Sequence, residues 1–313
     1  MIWLFKNANY PFFRYKNLGY AISIGLTVLA LGAIAVRGGL RYSIDFTGGT
    51  LVQVRFERSP SVATIRAGLA RIQLGESIIQ EFGDDREYII RLPLTTASPE
   101  ELTKRITGAL TQEAGLGDLE IRRIEFVGPQ VGRDLQLQAI YAVLFGLGGI
   151  LLYVAWAFKS LKGGVAAIAA VFHDMVICVG ALSLTGREFS LPVLAALLTI
   201  IGYSVNDTIV AYDRLRENRG KFIPRGKTFA EQMNDAINQT LSRTVLTALT
   251  TFLSAAILLA FGGKVLEDFA FILAIGVVTG TYSTIYMAGA IIVDWTQSVE
   301  SRIARRKKAV AKA

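Results

Sequence analysis

Residues 138–158 read QAIYAVLFGLGGILLYVAWAF and contain no charged side chain. A helix needs about 20 mainly apolar residues to cross the hydrocarbon core of a bilayer, and this run is long enough. Because further apolar blocks follow the same pattern, the sequence predicts six membrane-spanning helices, at 18–36, 138–158, 163–184, 189–212, 244–261 and 269–293. The fold class indicated is a polytopic α-helical membrane protein.

The composition supports a membrane protein and argues against several other classes. Of 313 residues, 52% are hydrophobic and 19% are charged, whereas soluble domains usually carry about a quarter charged residues. The single Cys178 and single His173 allow neither a disulfide framework nor a usual zinc site. No phosphate-binding glycine loop is found, so no cofactor or metal is predicted. The net charge of +8 comes from basic residues that flank apolar blocks, which argues against nucleic-acid binding.

The distribution of Lys and Arg predicts the orientation of the helices. Basic residues are frequent before the first block, between the second and third, between the fourth and fifth, and in the tail at 294–313. Basic residues in short loops favour the cytoplasmic side, so both termini, 1–17 and 294–313, are expected in the cytoplasm. No small-residue cleavage site follows the first block, which is therefore interpreted as a retained anchor. Residues 37–137 then form an extracytoplasmic domain, and 138–293 a helical bundle.

The region 37–137 has the pattern of a folded α+β domain. Residues 50–56 alternate with period two, as a half-buried strand does, and Ser59-Pro60-Ser61 predicts a helix through Ile72. Two strands at 77–82 and 88–92, a helix starting at Ser98-Pro99, and a strand at 119–126 complete the order. The order β-α-β-β-α-β predicts a ferredoxin-like fold.

Two acids fall within the predicted spans, and one arginine lies at the edge of a span. Asp174 lies beside His173 in the third span, Asp207 lies beside Asn206 in the fourth, and Arg243 begins the fifth. An unpaired ionisable side chain inside a bilayer destabilises the protein by on the order of several kcal/mol, so such residues usually mark a functional pathway. Arg243 could instead reach the headgroups, and Asp174 with His173 could be a structural polar cluster. A purely structural role is hardest to assign to Asp207.

Polar residues also recur on one face of the fourth and fifth spans. In the fifth span Arg243 is followed by Thr247, Thr251 and Ser254 at helical spacing, and the fourth span carries Thr199, Tyr203 and Asn206 in the same way. Because the two spans run antiparallel and follow each other, the two stripes are expected to face each other and to form a buried hydrophilic pathway.

Several short segments resemble conserved elements of the SecD/SecF family of protein-export membrane proteins, and most closely the SecF pattern. The elements are IDFTGGT at 44–50, VGPQVG at 127–132, FHD at 172–174, IGYSVNDTIV at 201–210, DRLREN at 213–218, LSRT at 241–244 and FGG at 261–263. In the first of them, Asp45, Gly48 and Gly49 form a structural motif, interpreted as an elbow between membrane and domain.

The resemblance implies a protein of the prokaryotic plasma (inner) membrane that acts with SecD on the SecYEG translocon. It implies that translocating preprotein is drawn outward with the energy of the proton (or sodium) gradient. In the family, ion coupling is attributed to positions that match Asp207 and Arg243. Asn206, Asp174 and His173 are further candidates for the same site.

Two other functions remain open at this point. SecD and SecF are similar to halves of RND-type transporters, so the chain could be half of a small-molecule exporter, although one loop of about a hundred residues is small for that role. A passive scaffold without ion flow is the other alternative, and Asp207 with the polar stripes argues against it. An enzyme is not predicted, because no nucleophile–base arrangement or nucleotide motif is recognised.

Overall fold

The computed structural model describes residues 5, 8–92, 99–112, 118–158, 160–221 and 226–310. These residues form two compact units. One unit comprises Arg41–Tyr141 together with Glu188–Leu191, and the other contains the remaining described chain. The start of the helix predicted at Ser98 lies outside the described residues.

Helices and strands follow one another in an order close to the prediction. After a 3-10 turn at Phe12–Tyr15, the helices are α1 Lys16–Val36, α2 Ile44–Thr47, α3 Val62–Ala70, α4 Pro99–Thr111, α5 Pro129–Phe158, α6 Leu161–Thr185, α7 Leu191–Lys221, α8 Phe229–Phe261, α9 Lys264–Ser283 and, after a π-helical segment at Thr284–Gly289, α10 Ala290–Val310. The strands are β1 Gly49–Phe56, β2 Ile78–Phe82, β3 Asp84–Leu92 and β4 Leu119–Val127.

The smaller unit is built on an antiparallel sheet with the strand order β2-β3-β1-β4. Residues that alternate along β1 and β3 form its core against α3 and α4: Val52, Val54, Phe56, Ile65, Leu69, Tyr88, Ile90, Leu92, Leu102, Ile106 and Leu110. Helix α3 begins at Val62, directly after the predicted Ser59-Pro60-Ser61 start, because the Ser61 side chain is the N-cap and accepts a hydrogen bond from the Thr64 amide. Strand β3 begins at Asp84, four residues before the predicted start, because the β2–β3 turn is tight at Gly83.

Within the described residues, six helical stretches are long and apolar enough to cross a membrane. They are Phe12–Val36, Pro129–Ala157, Leu161–Thr185, Leu191–Gly220, Phe229–Phe261 and Lys264–Ile303. The chain is therefore a multi-pass membrane protein. The third, fourth and sixth stretches are mostly buried within the chain, whereas the first, second and fifth expose most of their surface.

The helices extend well beyond the apolar blocks from which they were predicted. Helix α8 begins at Phe229, about four turns before Arg243, because Thr228 and Glu231 form a capping box. Helix α5 begins at Pro129, a residue favoured at the first helical position. An apolar run in the sequence therefore indicates which part of a helix can lie in the bilayer, but it does not indicate where the helix begins or ends.

Small residues set the spacing of the membrane helices. A Cβ built on Gly180 of α6 would lie 2.5 Å from the Cα of Ala30 in α1. A Cβ on Gly276 of α9 would lie 2.1 Å from a side-chain carbon of Ile200 in α7. Close approach of backbones at glycine is the usual means by which helices pack in a bilayer.

Candidate functional site

The Asp207 carboxylate is buried in α7, and one of its two oxygens lacks a hydrogen-bonding partner in the part of the chain that the structure describes. The residue is 4% exposed, and its Oδ2 makes no hydrogen bond to any group in the described ranges. The guanidinium of Arg243 on α8 acts on the carboxylate through its charge alone. A buried carboxylate that lacks a donor is unusual, since most buried polar atoms find at least one partner.

Of the polar stripes predicted for α7 and α8, Tyr203, Thr247 and Thr251 are half-buried, whereas Thr199, Asn206, Arg243 and Ser254 are exposed within this chain. The phenol oxygen of Tyr203 is buried and forms no hydrogen bond within the described residues, and the hydroxyls of Thr247 and Thr251 on α8 lie near it. Thr247 also donates hydrogen bonds of 3.0 Å to the carbonyls of Arg243 and Thr244 in its own helix. The two helices therefore place hydroxyl groups against each other next to Asp207.

Asp174 and His173 form a second buried cluster with a different character. Oδ2 of Asp174 accepts hydrogen bonds of 2.7 Å from Ser204 of α7 and from Ser283 of α9, and Oδ1 lies 3.2 Å from Nδ1 of His173. Asp174 is fully buried, and Nε2 of His173 has no partner among the described groups. The cluster joins three helices, α6, α7 and α9, and two hydroxyl donors stabilise its carboxylate.

The two carboxylates thus differ in the hydrogen-bond donors that contact them. Asp174 has donors from two other helices, whereas Oδ2 of Asp207 has none within the described chain. Sequence reasoning named both aspartates but missed Ser283, because this serine lies 109 residues from Asp174 and no local pattern marks it. Ser204 was within a quoted motif, three residues before Asp207, and its spacing would have placed it near the same helix face.

Polar side chains also lie on the outer surface of α7 and α8. Thr199 and Asn206 of α7 and Arg243 of α8 are exposed within this chain, although all three lie inside helices that are apolar enough to cross a membrane. Polar groups facing lipid are costly, so they usually face a protein or a water-filled space. These three residues, Thr199, Asn206 and Arg243, are here called the polar edge. We expect the polar edge to face another protein or a water-filled space in the membrane.

Asp45, Gly48 and Gly49 lie at a tight junction in the smaller unit. Oδ2 of Asp45 accepts hydrogen bonds from the Leu191 amide at 3.0 Å and from the Ser43 hydroxyl at 2.9 Å. Leu191 is the first residue of α7, so Asp45 satisfies one of the free N–H groups at the start of that helix. Asp45 thus caps the start of α7.

The two glycines of this junction are required by the backbone. Gly48 has φ of 69° and Gly49 has φ of 130°, both in the region that favours glycine. A Cβ on Gly49 would lie 2.7 Å from the carbonyl oxygen of Leu92 in the neighbouring strand. Gly132, from the VGPQVG segment, packs equally closely, since its Cβ would lie 2.9 Å from the Phe46 oxygen.

Replacing Asp45 with Ala is expected to lower the stability of the start of α7 by about 1 kcal/mol, because a side-chain cap is lost. Asp45→Asn is expected to retain most of it, since asparagine caps as well as aspartate. Hydrogen exchange of the peptide that contains Leu191, measured by mass spectrometry, provides the readout. Asp118→Ala, an exposed position in the same unit, is the control, and equal exchange in Asp45→Ala and wild type would contradict the cap.

Comparison with known proteins places these residues in a family. The family model for protein export membrane protein SecD/SecF, C-terminal, matches residues 106–298, and the model for the SecD/SecF GG motif matches residues 32–60. A protein translocase subunit SecF of Desulfurispirillum indicum is 45% identical, with 91% of each chain covered. The chain belongs to the SecF family of protein translocase subunits. The SecF subunit of Pseudomonas aeruginosa is 39% identical, with 90% of each chain covered.

Solved structures of SecDF are similar over nearly the whole length of this SecF chain. SecDF from Thermus thermophilus, described as a translocon-associated membrane protein, is 42% identical with a TM-score of 0.82 over 95% of this chain. SecDF in a super-membrane-facing form is 40% identical with a TM-score of 0.71 over 98%. The chain spans about two fifths of the length of each SecDF chain. The resemblance recognised in the sequence is confirmed.

Proposed function

We propose that this SecF subunit acts with SecD to promote polypeptide translocation through SecYEG, using the transmembrane proton (or sodium) gradient. In this proposal Asp207 is the coupling carboxylate, and Arg243 supplies the positive charge that stabilises its ionised form. Further members of the ion path are Asn206, Asp174 and His173. The single observation that carries the proposal is the buried Oδ2 of Asp207, which lacks a donor in the described chain.

The chemistry of an unsatisfied carboxylate supports ion coupling. An ionised carboxylate in low dielectric is costly unless it is paired, and binding a proton or a cation removes that cost. Arg243 acts on Asp207 without a direct hydrogen bond. A conformational change that brought the guanidinium closer would favour the empty, charged carboxylate, and one that withdrew it would favour ion binding. A protein that alternates between a conformation that binds the ion and one that releases it can use an ion gradient to drive conformational change.

The polar edge supports SecD as the partner that covers it. Thr199, Asn206 and Arg243 are exposed within this chain, and the matching part makes up about two fifths of each similar SecDF chain. We infer that SecD helices pack against this edge and complete the ion path. An apolar substitution there, Asn206→Leu, would weaken co-purification with SecD, whereas Leu253→Ala on the exposed apolar side of α8 would not.

We also infer that the smaller unit is a ferredoxin-like domain outside the cytoplasm and that both termini are cytoplasmic. The element order β1-α3-β2-β3-α4-β4 and the antiparallel sheet order β4-β1-β3-β2 support the fold. The concentration of Lys and Arg in the shorter connections and the tail supports the orientation. Labelling of single cysteines introduced at Ser59 and at Ser298 by a membrane-impermeant maleimide would test it in intact cells.

Export into inverted membrane vesicles tests the proposed function directly. Vesicles containing SecYEG, SecD and this chain are supplied with a preprotein and energised, and protected preprotein is measured with and without an ion gradient. Gradient-dependent stimulation that requires this chain supports the proposal. Stimulation that persists without this chain, or a changed tolerance to small toxic compounds in place of export, would point to another role.

A further inference from the structure

A cavity of about 580 Å³ opens where α6 begins and α7 ends. Its polar wall is formed by Ser160, Lys162, Arg216 and Arg219. These residues belong to the ends of membrane-spanning helices, so the cavity lies where the chain meets the headgroup region of a bilayer. It is here called the rim cavity. None of its lining residues belongs to the Asp207 or Asp174 clusters.

Two of the cations at the rim cavity form no ion pair with the residues that the structure describes. The Lys162 ammonium lies 6.0 Å from the centre of the Trp295 ring, and the Arg219 guanidinium lies 5.4 Å from the centre of the Phe229 ring. Neither forms an ion pair with a carboxylate in the described part of the chain. Arg216 is different, because it pairs with Asp213 at 3.1 Å. The aromatic contacts hold the two free cations in place without cancelling their charge.

The N-terminus of α6 adds a second, independent anion-binding feature. Ser160 is the N-cap residue of this 25-residue helix, but its hydroxyl caps no N–H group. The first N–H groups of a helix lack partners within the helix and carry the positive end of its dipole. Phosphate groups bind at such helix starts. The uncapped hydroxyl and the helix start therefore face the same cavity as the two free cations.

The rest of the cavity wall is apolar. Leu215, Phe229 and Ile292 are buried residues that form its floor, and Tyr212 lies beside them. A soluble phosphate compound would gain little from such a floor. A phospholipid has a phosphate for the basic wall and an acyl chain for the apolar one, and basic pockets between membrane helices suit anionic headgroups.

We propose that the rim cavity binds an anionic phospholipid, with its phosphodiester held by Lys162, Arg219, the Ser160 hydroxyl and the first N–H groups of α6. The upper acyl chain lies against Leu215, Phe229 and Ile292. Phosphatidylglycerol satisfies this chemistry with one net negative charge, whereas phosphatidylcholine carries a choline cation that Lys162 and Arg219 would repel. The site does not depend on ion coupling at Asp207.

Native mass spectrometry of the purified full chain tests the proposal. The protein is titrated in detergent with phosphatidylglycerol or phosphatidylcholine of matched acyl chains, and the fraction with one retained lipid is measured. Wild type is expected to prefer phosphatidylglycerol at least tenfold. The double variant Lys162→Gln/Arg219→Gln is expected to lose about thirtyfold in affinity, from two cation contacts. Lys227→Gln removes a basic residue already paired with Asp235 and is the matched control, with unchanged affinity expected.

A second variant separates lipid binding from folding. Ser160→Asp places a carboxylate at the helix start, where it should cap α6 as well as or better than serine, yet it should repel a phosphate. Loss of phosphatidylglycerol with an unchanged or raised melting temperature supports the site. Retention in Ser160→Asp or in the double variant, or no preference between the two lipids, would overturn it. Displacement by millimolar inorganic phosphate would assign the cavity to a soluble anion and also overturn the proposal.

Discussion

Replacing Asp207 with Asn is expected to reduce gradient-stimulated export to the level measured without a gradient, while the chain still assembles with its partners. Asparagine is nearly isosteric with aspartate and cannot take up and release a proton. Because Oδ2 of Asp207 makes no hydrogen bond in the described structure, its replacement breaks no contact at that atom. The variant is therefore expected to abolish proton uptake and release at this position while the fold is kept. Export in energised vesicles with matched expression is the measurement.

Two matched variants define what the Asp207 result means. Asp213→Asn changes the same atoms at an exposed position six residues further along α7, where the carboxylate pairs with Arg216, and export should be unaffected. Asp174→Asn replaces a carboxylate oxygen that accepts from Ser204 and Ser283, so loss of stability is expected together with any loss of export. Gradient-stimulated export that survives Asp207→Asn would make this residue structural and would leave Asp174 as the next candidate for coupling.

Replacing Gly180 with Ala is expected to destabilise the helical unit by about 1–3 kcal/mol, the cost of overpacking a well-packed interface. The new methyl carbon would lie 2.2 Å from the Cβ and 2.5 Å from the Cα of Ala30. A flexible side chain could move away, but a helix backbone can yield only if all of α1 shifts. Thermal unfolding of the purified protein in detergent should show a lower melting temperature.

Glycines on the exposed side of α1 provide the control for this prediction. A Cβ on Gly25 or Gly32 would meet nothing within 4 Å. Alanine at either position should leave the melting temperature unchanged or raise it slightly, because alanine favours the helix by roughly 0.5–1 kcal/mol over glycine. An equal effect of Gly180→Ala and Gly32→Ala would show that α1 does not depend on the close contact with α6.

The membrane-spanning helices could be predicted from sequence because they depend on a local property. An apolar run of about 20 residues suits a bilayer wherever it occurs, and helices that span the six blocks are found. The helix ends could not be read in the same way. The start of α8 at Phe229 depends on a capping box at Thr228 and Glu231 inside a polar segment that carries no hydropathy signal.

The fold of the smaller unit was predictable for a similar reason. Alternation in β1 and in β3 marks which side chains face the core, and the antiparallel pairing of Val52 with Ile90 follows from that alternation. The alternation gave no indication of the contacts that residues 188–191 make with the segment that precedes β1. The amide of Ser43 donates to the Phe189 carbonyl, and Asp45 accepts from Leu191, across almost 150 residues of chain. Local periodicity carries no information on such contacts.

By itself, the sequence determined the six spans, the order of strands and helices in the smaller unit, the family, and the short set of ionisable residues inside the membrane. Each of these depends on residue type at short spacing, where side-chain direction follows from the helix or strand period. Only the tertiary structure decided that Ser204 and Ser283 converge on Asp174 while Oδ2 of Asp207 is left without a donor in the described chain. Whether a buried carboxylate is satisfied depends on donors from other helices, and their approach is set by packing at glycines such as Gly276 and Gly280, which the hydrophobic pattern does not encode.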